Sequence, residues 1–329
     1  MLKILLLTCG AACLLLALLA LYGAIYTWRV NARFPAEGTF VEVAGGRVHM
    51  VAQAPADGPA PEGPAAPPVV LLHGASANLR DPMLRLGPAL VEAGFPVLAF
   101  DRPGHGWSAR TAPDGHDPAV QARMIRDALD KLGVERPLVV GHSWSGAVVM
   151  ALLLNHGEAI AGGVTLGGAT HPWPGGPSWY NSLSLMPVVG TLFRWTLVPL
   201  AGPFMLPAGI DSNFAPNDPV PDYAVRAGMP LLFRPHQFRA NAEDSVYLKN
   251  AVARMSVEYG RIDTPLLVIT GDADSTVSPK RHSRAVAAQV PGARLVILDG
   301  VGHMPHQVRT DRVVAEVEAL AASVRSGAR

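Results

Sequence analysis

Val139-Val-Gly-His-Ser-Trp-Ser-Gly146 decides how this 329-residue chain is read. Before it runs the apolar stretch Pro137 to Val140, and after it the apolar, helix-forming segment Ala147 to Leu154. A strand that turns directly into a helix forces the corner residue into strained backbone, so its side chain stands clear with amides beside it. Strand and helix nearly touch at such a corner, so small residues belong two places before and after it. Gly141 and Ser145 hold those places around Ser143, with Gly146 next. Ser145 departs from the usual Gly-x-Ser-x-Gly. Taking Ser145 as the corner would set Ser143 and Ala147 at the small positions and lose the leading glycine, so Ser143 is the better candidate. The plain alternative is a Gly-rich turn with a serine capping a helix.

Two sites further along favour the chemical reading. Pro265 to Thr270 has the pattern of a buried strand and ends in Gly271-Asp-Ala-Asp274. Arg294 to Leu298 is a second short apolar strand, followed by Asp299-Gly-Val-Gly-His303. Both lie just past the C-terminal end of a strand, where open α/β sheets place their chemistry. A serine hydroxyl is a weak nucleophile until a base takes its proton, and a third group must orient that base.

The chain resembles the α/β-hydrolase superfamily, in the branch with a lid between the sixth and seventh core strands. The motifs are His73-Gly-Ala-Ser76, Asp101-Arg-Pro-Gly-His-Gly-Trp-Ser108, the serine corner, Gly271-Asp-Ala-Asp274 and Gly302-His303, in family order from about Gly38 to Val324. The resemblance implies a Ser-Asp-His triad. It selects Asp274, the fourth residue of its turn, as the acid and leaves Asp272 to cap that turn. Some members carry the acid after the sixth strand, here Gly163 to Leu166, but Ala159 to Ile210 contains no Asp or Glu. His303 is the expected base ahead of His306, His282 and His236, because it follows a Gly-rich loop directly after a strand. The oxyanion of acyl transfer needs preorganised donors, each worth roughly 3 kcal/mol of barrier. These are expected to be the backbone N–H groups of Ala75 and Trp144. His73, His105 and Arg102 read as structural, the last two in a turn shaping the pocket floor. Epoxide hydrolases and haloalkane dehalogenases of this fold use a carboxylate at the corner, for an alkyl-enzyme ester. Ser143 points instead to ester, thioester, amide or C–C acyl cleavage.

Composition narrows the remainder. The formal net charge of +1 gives no reason to expect nucleic acid as partner. Both cysteines, Cys9 and Cys13, fall in the N-terminal apolar segment, so the rest of the chain has neither disulfide nor cysteine metal site. No His/Asp spacing suggests a metal, and no cofactor is implied. Ile4 to Trp28 carries no charge and as a helix would reach about 37 Å, beyond the roughly 30 Å hydrocarbon core. Its length, and a C-terminal end from Tyr22 to Trp28 with no clean small-x-small site, favour an uncleaved single-span anchor over a signal peptide. Lys3 and the amino terminus face Arg29 and Arg33, a tie under the positive-inside rule. The short amino tail favours export of the large domain to the periplasmic or extracellular side.

Four segments follow: an anchor and flank over 1–33, a first core part over 34–170, a helical lid over 171–258 and a second core part over 259–329. Thr39 to Val43 and Arg47 to Gln53 alternate as a hairpin turned at Gly45-Gly46. Ala54 to Pro68 is an Ala/Pro/Gly loop. Strands Val69–His73 and Pro96–Phe100 then alternate with helices near Leu79–Ala93 and Pro118–Leu132, the pattern of a mainly parallel sheet flanked by helices. In the lid, Trp173, Trp179, Met186, Phe193, Trp195, Phe204 and Met205 either pack it onto the core or form an apolar roof over Ser143. His236 and Arg239 brace it. The function expected is a membrane-anchored serine hydrolase acting on a small hydrophobic ester-like substrate. The alternatives are a C–C hydrolase, a perhydrolase or haloperoxidase-like enzyme with the same triad, or a non-catalytic binder of small apolar ligands.

Overall fold

Along each central strand, successive apolar side chains enter two different cores, because side chains alternate across a sheet. In the computed structural model, which describes residues 1–55 and 66–327, the strands are β1 Thr39–Val43, β2 Gly46–Gln53, β3 Val69–Leu72, β4 Val97–Phe100, β5 Leu138–His142, β6 Gly162–Leu166, β7 Leu266–Gly271 and β8 Arg294–Leu298. Val70, Leu72, Phe100 and Val139 pack on one face, against Ile125, Leu129, Val148 and Leu152. Val69, Leu71, Ala99 and Val140 pack on the other, against Leu86, Leu90, Val313 and Val317. Full burial of such a residue contributes roughly 1.5–3 kcal/mol, so two filled faces fix the sheet.

The sheet order is β1-β2-β4-β3-β5-β6-β7-β8, and a ninth, two-residue strand, Ala109–Arg110, pairs with β2. β1/β2 and β2/β4 are antiparallel, and every pairing from β4 through β3 to β8 is parallel. Helices α2 Leu86–Glu92, α3 Pro118–Lys131 and α4 Ser145–His156 connect the first strands. α9 Ser283–Gln289, α10 Pro305–Val308 and α11 Thr310–Ser326 follow β7. The helix expected near Leu79–Ala93 is shorter: a 3-10 turn over Pro82–Leu84 precedes α2. The Leu79 N–H there is bound by the Asp101 carboxylate, which keeps the chain in a loop. Of the expected Ala54 to Pro68 loop, residues 56–65 lie outside the described residues.

Between β6 and β7 the chain inserts α5 Trp179–Leu185, α6 Val189–Phe214, α7 Tyr223–Arg226 and α8 Pro235–Ser256. The N-terminal α1, Leu2–Arg33, packs its last turns on this insertion. Pro199 inside α6 cannot donate to the carbonyl of Trp195 four residues back. That freed oxygen meets Gly23 of α1, where a Cβ would stand only 2.1 Å from it. The Tyr26 hydroxyl donates to Pro230 O, Arg234 to Asn31 Oδ1, and the Trp107 indole to Phe34 O. Both α1 and α6 are long and apolar enough to cross a membrane by length and composition, with mean hydropathies of 2.8 and 1.2.

The apolar residues of the insertion divide. Trp173 and Phe193 pack inward, whereas Trp179, Met186, Trp195, Phe204 and Met205 are exposed, Phe204 at 82%. The exposed five neither pack the insertion onto the core nor shield a buried site. Trp195, Phe204 and Met205 lie on α6, the helix that also carries α1.

Candidate active site

Ser143 follows β5 directly and sits at φ +53°, in the left-handed region that a side chain rarely adopts. The corner is held by its neighbours: Ser143 N–H donates to Leu166 O, and Ser143 O accepts from Ala169 N–H. A Cβ at Gly141 would stand 2.5 Å from Ser145 O, so strand and helix do touch there. An equally close approach is made by Gly146, whose Cβ would meet Gly168 Cα at 2.5 Å. Ser145 is tolerated because its buried hydroxyl donates to His73 O, tying the helix start to the loop after β3.

Asp274 and His303 come together from the ends of β7 and β8. His303 Nδ1 lies 2.7 Å from Asp274 Oδ2, with both residues buried. The other carboxylate oxygen accepts from Thr276 and Val277 N–H at 2.9 and 2.8 Å, which fixes the plane of the group. Asp272 instead accepts from Gly300 N–H and ties the two loops together. Gly167, at φ +52°, lies against the pair: a Cβ there would stand 3.1 Å from Asp274 Oδ2 and 3.2 Å from His303 Nδ1. The Ser143 hydroxyl has no hydrogen-bond partner among the described residues. In ligand-free sites that bond is often long and tightens when substrate arrives.

The rival histidines are otherwise engaged. His306 contacts Asp81 Oδ2 at 3.1 Å. His282 Nδ1 accepts from the Thr170 and His171 amides, and burial pulls its pKa down to about 4. His236 is exposed on α8. Arg239 pairs with Glu243 on the same helix.

Beside the corner, the N–H groups of Ala75 and Trp144 find no acceptor among the described residues, and Trp144 stands at the start of α4, where N–H groups lack intrahelical partners. The loop carrying Ala75 is pinned from behind. Arg102 N–H donates to His73 Nε2 at 3.0 Å, and the Arg102 side chain donates to His73 O and Gly74 O. His73 is fully buried, and burial first, then Arg102, pulls its pKa to about 3, so it stays neutral. Ser76 N–H donates to Asn241 Oδ1 on α8 at 2.6 Å. Arg102 sits 4.1 Å from the centroid of the Trp144 ring and, with Arg110, grips Asp244 of α8 at 2.6 Å. Arg102 of the Asp101-Arg-Pro-Gly stretch thus bolts the insertion to the loop that carries Ala75, rather than only shaping a floor.

Several residues here escaped sequence reasoning: His142, Asp81, Gly167, Asn241 and Asp244. Only Gly167-Gly168, directly after a strand, carried a signal. Asp81, His142 and His306 bring possible metal-ligand atoms within 4.8 Å of one another, although their sequence spacing suggests no site. The Asp81 carboxylate already accepts from Tyr223, Gln307 and His306, so hydrogen bonds within the protein satisfy it.

The profile of the Alpha/beta hydrolase family matches residues 69–316, and the chain belongs to that family. It is 26% identical to haloalkane dehalogenase 2 of Mycobacterium tuberculosis, over 86% of this chain and 94% of that one. It is 28% identical to a 2-hydroxy-6-oxononadienedioate/2-hydroxy-6-oxononatrienedioate hydrolase of Cupriavidus pinatubonensis, over 73% of this chain and 82% of that one. A solved structure of a bacterial membrane phospholipase A superposes with TM-score 0.67 at 21% identity, covering 98% of each chain. This protein is therefore an enzyme of the α/β-hydrolase family.

Proposed function

We propose that the chain is a membrane-anchored serine hydrolase cleaving a hydrophobic carboxylic ester or related acyl bond through an acyl-enzyme. The observation that carries the reading is the buried 2.7 Å contact of His303 Nδ1 with Asp274 beside a serine held at positive φ. A carboxylate only accepts, so the imidazole proton sits on Nδ1 and leaves Nε2 bare to take the Ser143 proton. Ser143 Oγ then attacks the acyl carbon, and the free N–H groups of Ala75 and Trp144 receive the oxyanion. The imidazolium returns its proton to the leaving alcohol, and water repeats the sequence to release the acid. A serine at the corner speaks against the dehalogenase chemistry of the relative described above. C–C cleavage stays the second reading, because the hydrolase from C. pinatubonensis is as similar.

The span reading for α1 rests on its hydropathy and on its contacts with the folded domain through Gly23 and Tyr26, which cleavage after Trp28 would abandon. The insertion acts as a lid, and its exposed apolar side chains favour lipid-like esters, in keeping with the membrane phospholipase A. Fluorophosphonate labelling tests the mechanism: the parent is expected to label at Ser143 and Ser143→Ala not at all, and labelling that survives the substitution overturns it. p-Nitrophenyl esters of rising chain length against vinylogous diketones separate ester from C–C cleavage. Recovery of a soluble mature form starting after Trp28 would remove the anchor.

A further inference from the structure

His142 precedes Ser143 and plays no part in the chemistry proposed, yet it is 6% exposed and sits between two other histidines. Its ring centroid lies 4.8 Å from that of His303 and 4.4 Å from that of His306. Its Nε2 is 2.9 Å from the backbone carbonyl of His303. A carbonyl only accepts, so Nε2 carries the proton, and Nδ1 is left bare, buried and without a partner. Burial first, then the neighbouring His306 and His303, pull the pKa of His142 well below 6.5, so the ring has one proton to give.

The far side of this ring is held by a second Asp–His pair. His306 Nε2 contacts Asp81 Oδ2 at 3.1 Å, and Asp81 Oδ1 accepts from the Tyr223 hydroxyl at 2.7 Å. Burial raises the Asp81 pKa, but His306 and these hydrogen bonds outweigh it and hold the carboxyl below its usual range. Tyr223 belongs to the insertion, Asp81 to the loop after β3, and His306 to the segment just past His303. Three separate stretches of chain therefore converge behind one imidazole.

We propose that His142 is a positioning residue, whose Nε2–H grips the His303 carbonyl and aims that imidazole at Ser143, with His306, Asp81 and Tyr223 clamping it from behind. The inference rests on the triad reading above. A carbonyl grip controls the direction of the base more than its affinity for substrate, so its loss acts on kcat. A misplacement of about 1 Å can cost on the order of 100-fold.

The test compares His142→Gln, which keeps an N–H near the position of Nε2, with His142→Met, which fills similar space and donates nothing. Both are made in the full-length chain in detergent, with thermal unfolding measured alongside. With a p-nitrophenyl ester, the Met variant is expected to lose 10-fold to 100-fold in kcat with KM within about 2-fold of the parent. The Gln variant is expected to recover most of that loss at a similar Tm. The downfield proton resonance of His303 Nδ1–H should shift or broaden with Met and persist with Gln. A folded Met variant with kcat within 2-fold of the parent, or equal losses in both variants, overturns the inference. Parent protein that fails to label at Ser143 would instead sink the hydrolase reading itself, so the two failures are distinguishable.

Discussion

The sheet with its loops and the helical insertion with α1 are built on different terms. In the sheet, both faces of β3, β4 and β5 are filled, and each backbone position is set by strand pairing on two sides. In the insertion, α6 carries three internal prolines and leaves Trp195, Phe204 and Met205 exposed. It is held by Leu248 and Val252 of α8, which enter the core on one face of the sheet, and by polar bolts: Asp244 to Arg102 and Arg110, Asn241 to Ser76, and Tyr223 to Asp81. All three bolts reach the loop network around Ser143. The sheet therefore sets where the candidate catalytic groups stand, and the insertion is registered against them by buried charge and hydrogen bonds added to the apolar contacts of α8 with the core.

The largest expected effect falls on the sheet side. Asp274→Asn leaves the packing intact but disturbs the tautomer of His303, and a fall in kcat of about 10⁴-fold is expected by analogy with the serine protease triad. Esterase kinetics at unchanged Tm check it, and a loss below 10-fold would deny Asp274 its role. Next comes the bolt between the two regions. Asp244→Ala leaves the buried Arg102 guanidinium without its carboxylate, while Arg110 keeps Glu243, and should cost about 3–5 kcal/mol of stability. Denaturant unfolding measures this; a neutral substitution would mean that the insertion is held by something else.

Acid should strain the same junction. His73, His105 and His142 are buried with pKa values lowered chiefly by burial. Below their unfolded value near 6.5, the unfolded chain takes up protons that the folded chain refuses. Stability is therefore whole above that pH and lost as pH falls through 6 to 4. Each histidine contributes up to about 1.4 kcal/mol per pH unit. Tm measured from pH 8 to 4.5 should stay level and then drop; a steady rise toward acid would contradict the neutral assignment. At α1, Tyr26→Phe removes one hydrogen bond to Pro230 and should cost about 1 kcal/mol. The smallest effect is expected for Phe204→Ser on α6: stability within about 0.5 kcal/mol, kcat on a soluble ester unchanged, and weaker retention on liposomes. Retention equal to the parent's would mean that Phe204 does not meet lipid beside the α1 span.

The fold was legible wherever the information is local. Strand runs at Val69–Leu72, Leu138–Val140 and Leu266–Thr270, and the small residues around Ser143, are patterns that a strand or corner demands of its own neighbours. The departure at Ser145 was visible too, but not its reason, since His73 O lies 72 residues away. His142 was legible only as a neighbour of Ser143, and Asp81 carried no assignment of its own. Neither residue type signals its partner, because the Asp81–His306 contact joins positions 225 apart. The exposed apolar side chains of α6 were expected to cover the core or the site, because apolarity alone does not say which surface a side chain meets.

What the sequence determined by itself was the alternation of strand and helix, the strained serine corner, the loops that end in Asp274 and His303, and the charge-free N-terminal run. Each of these depends on residues within a few positions, where backbone sterics and periodicity act. Only the tertiary structure decided that Asp81 takes His306, that His142 lies against His303, and that Asp244, Asn241 and Tyr223 help to register the insertion. Those outcomes depend on distances between segments far apart in the chain. Such distances exist only once two filled cores have closed around the sheet.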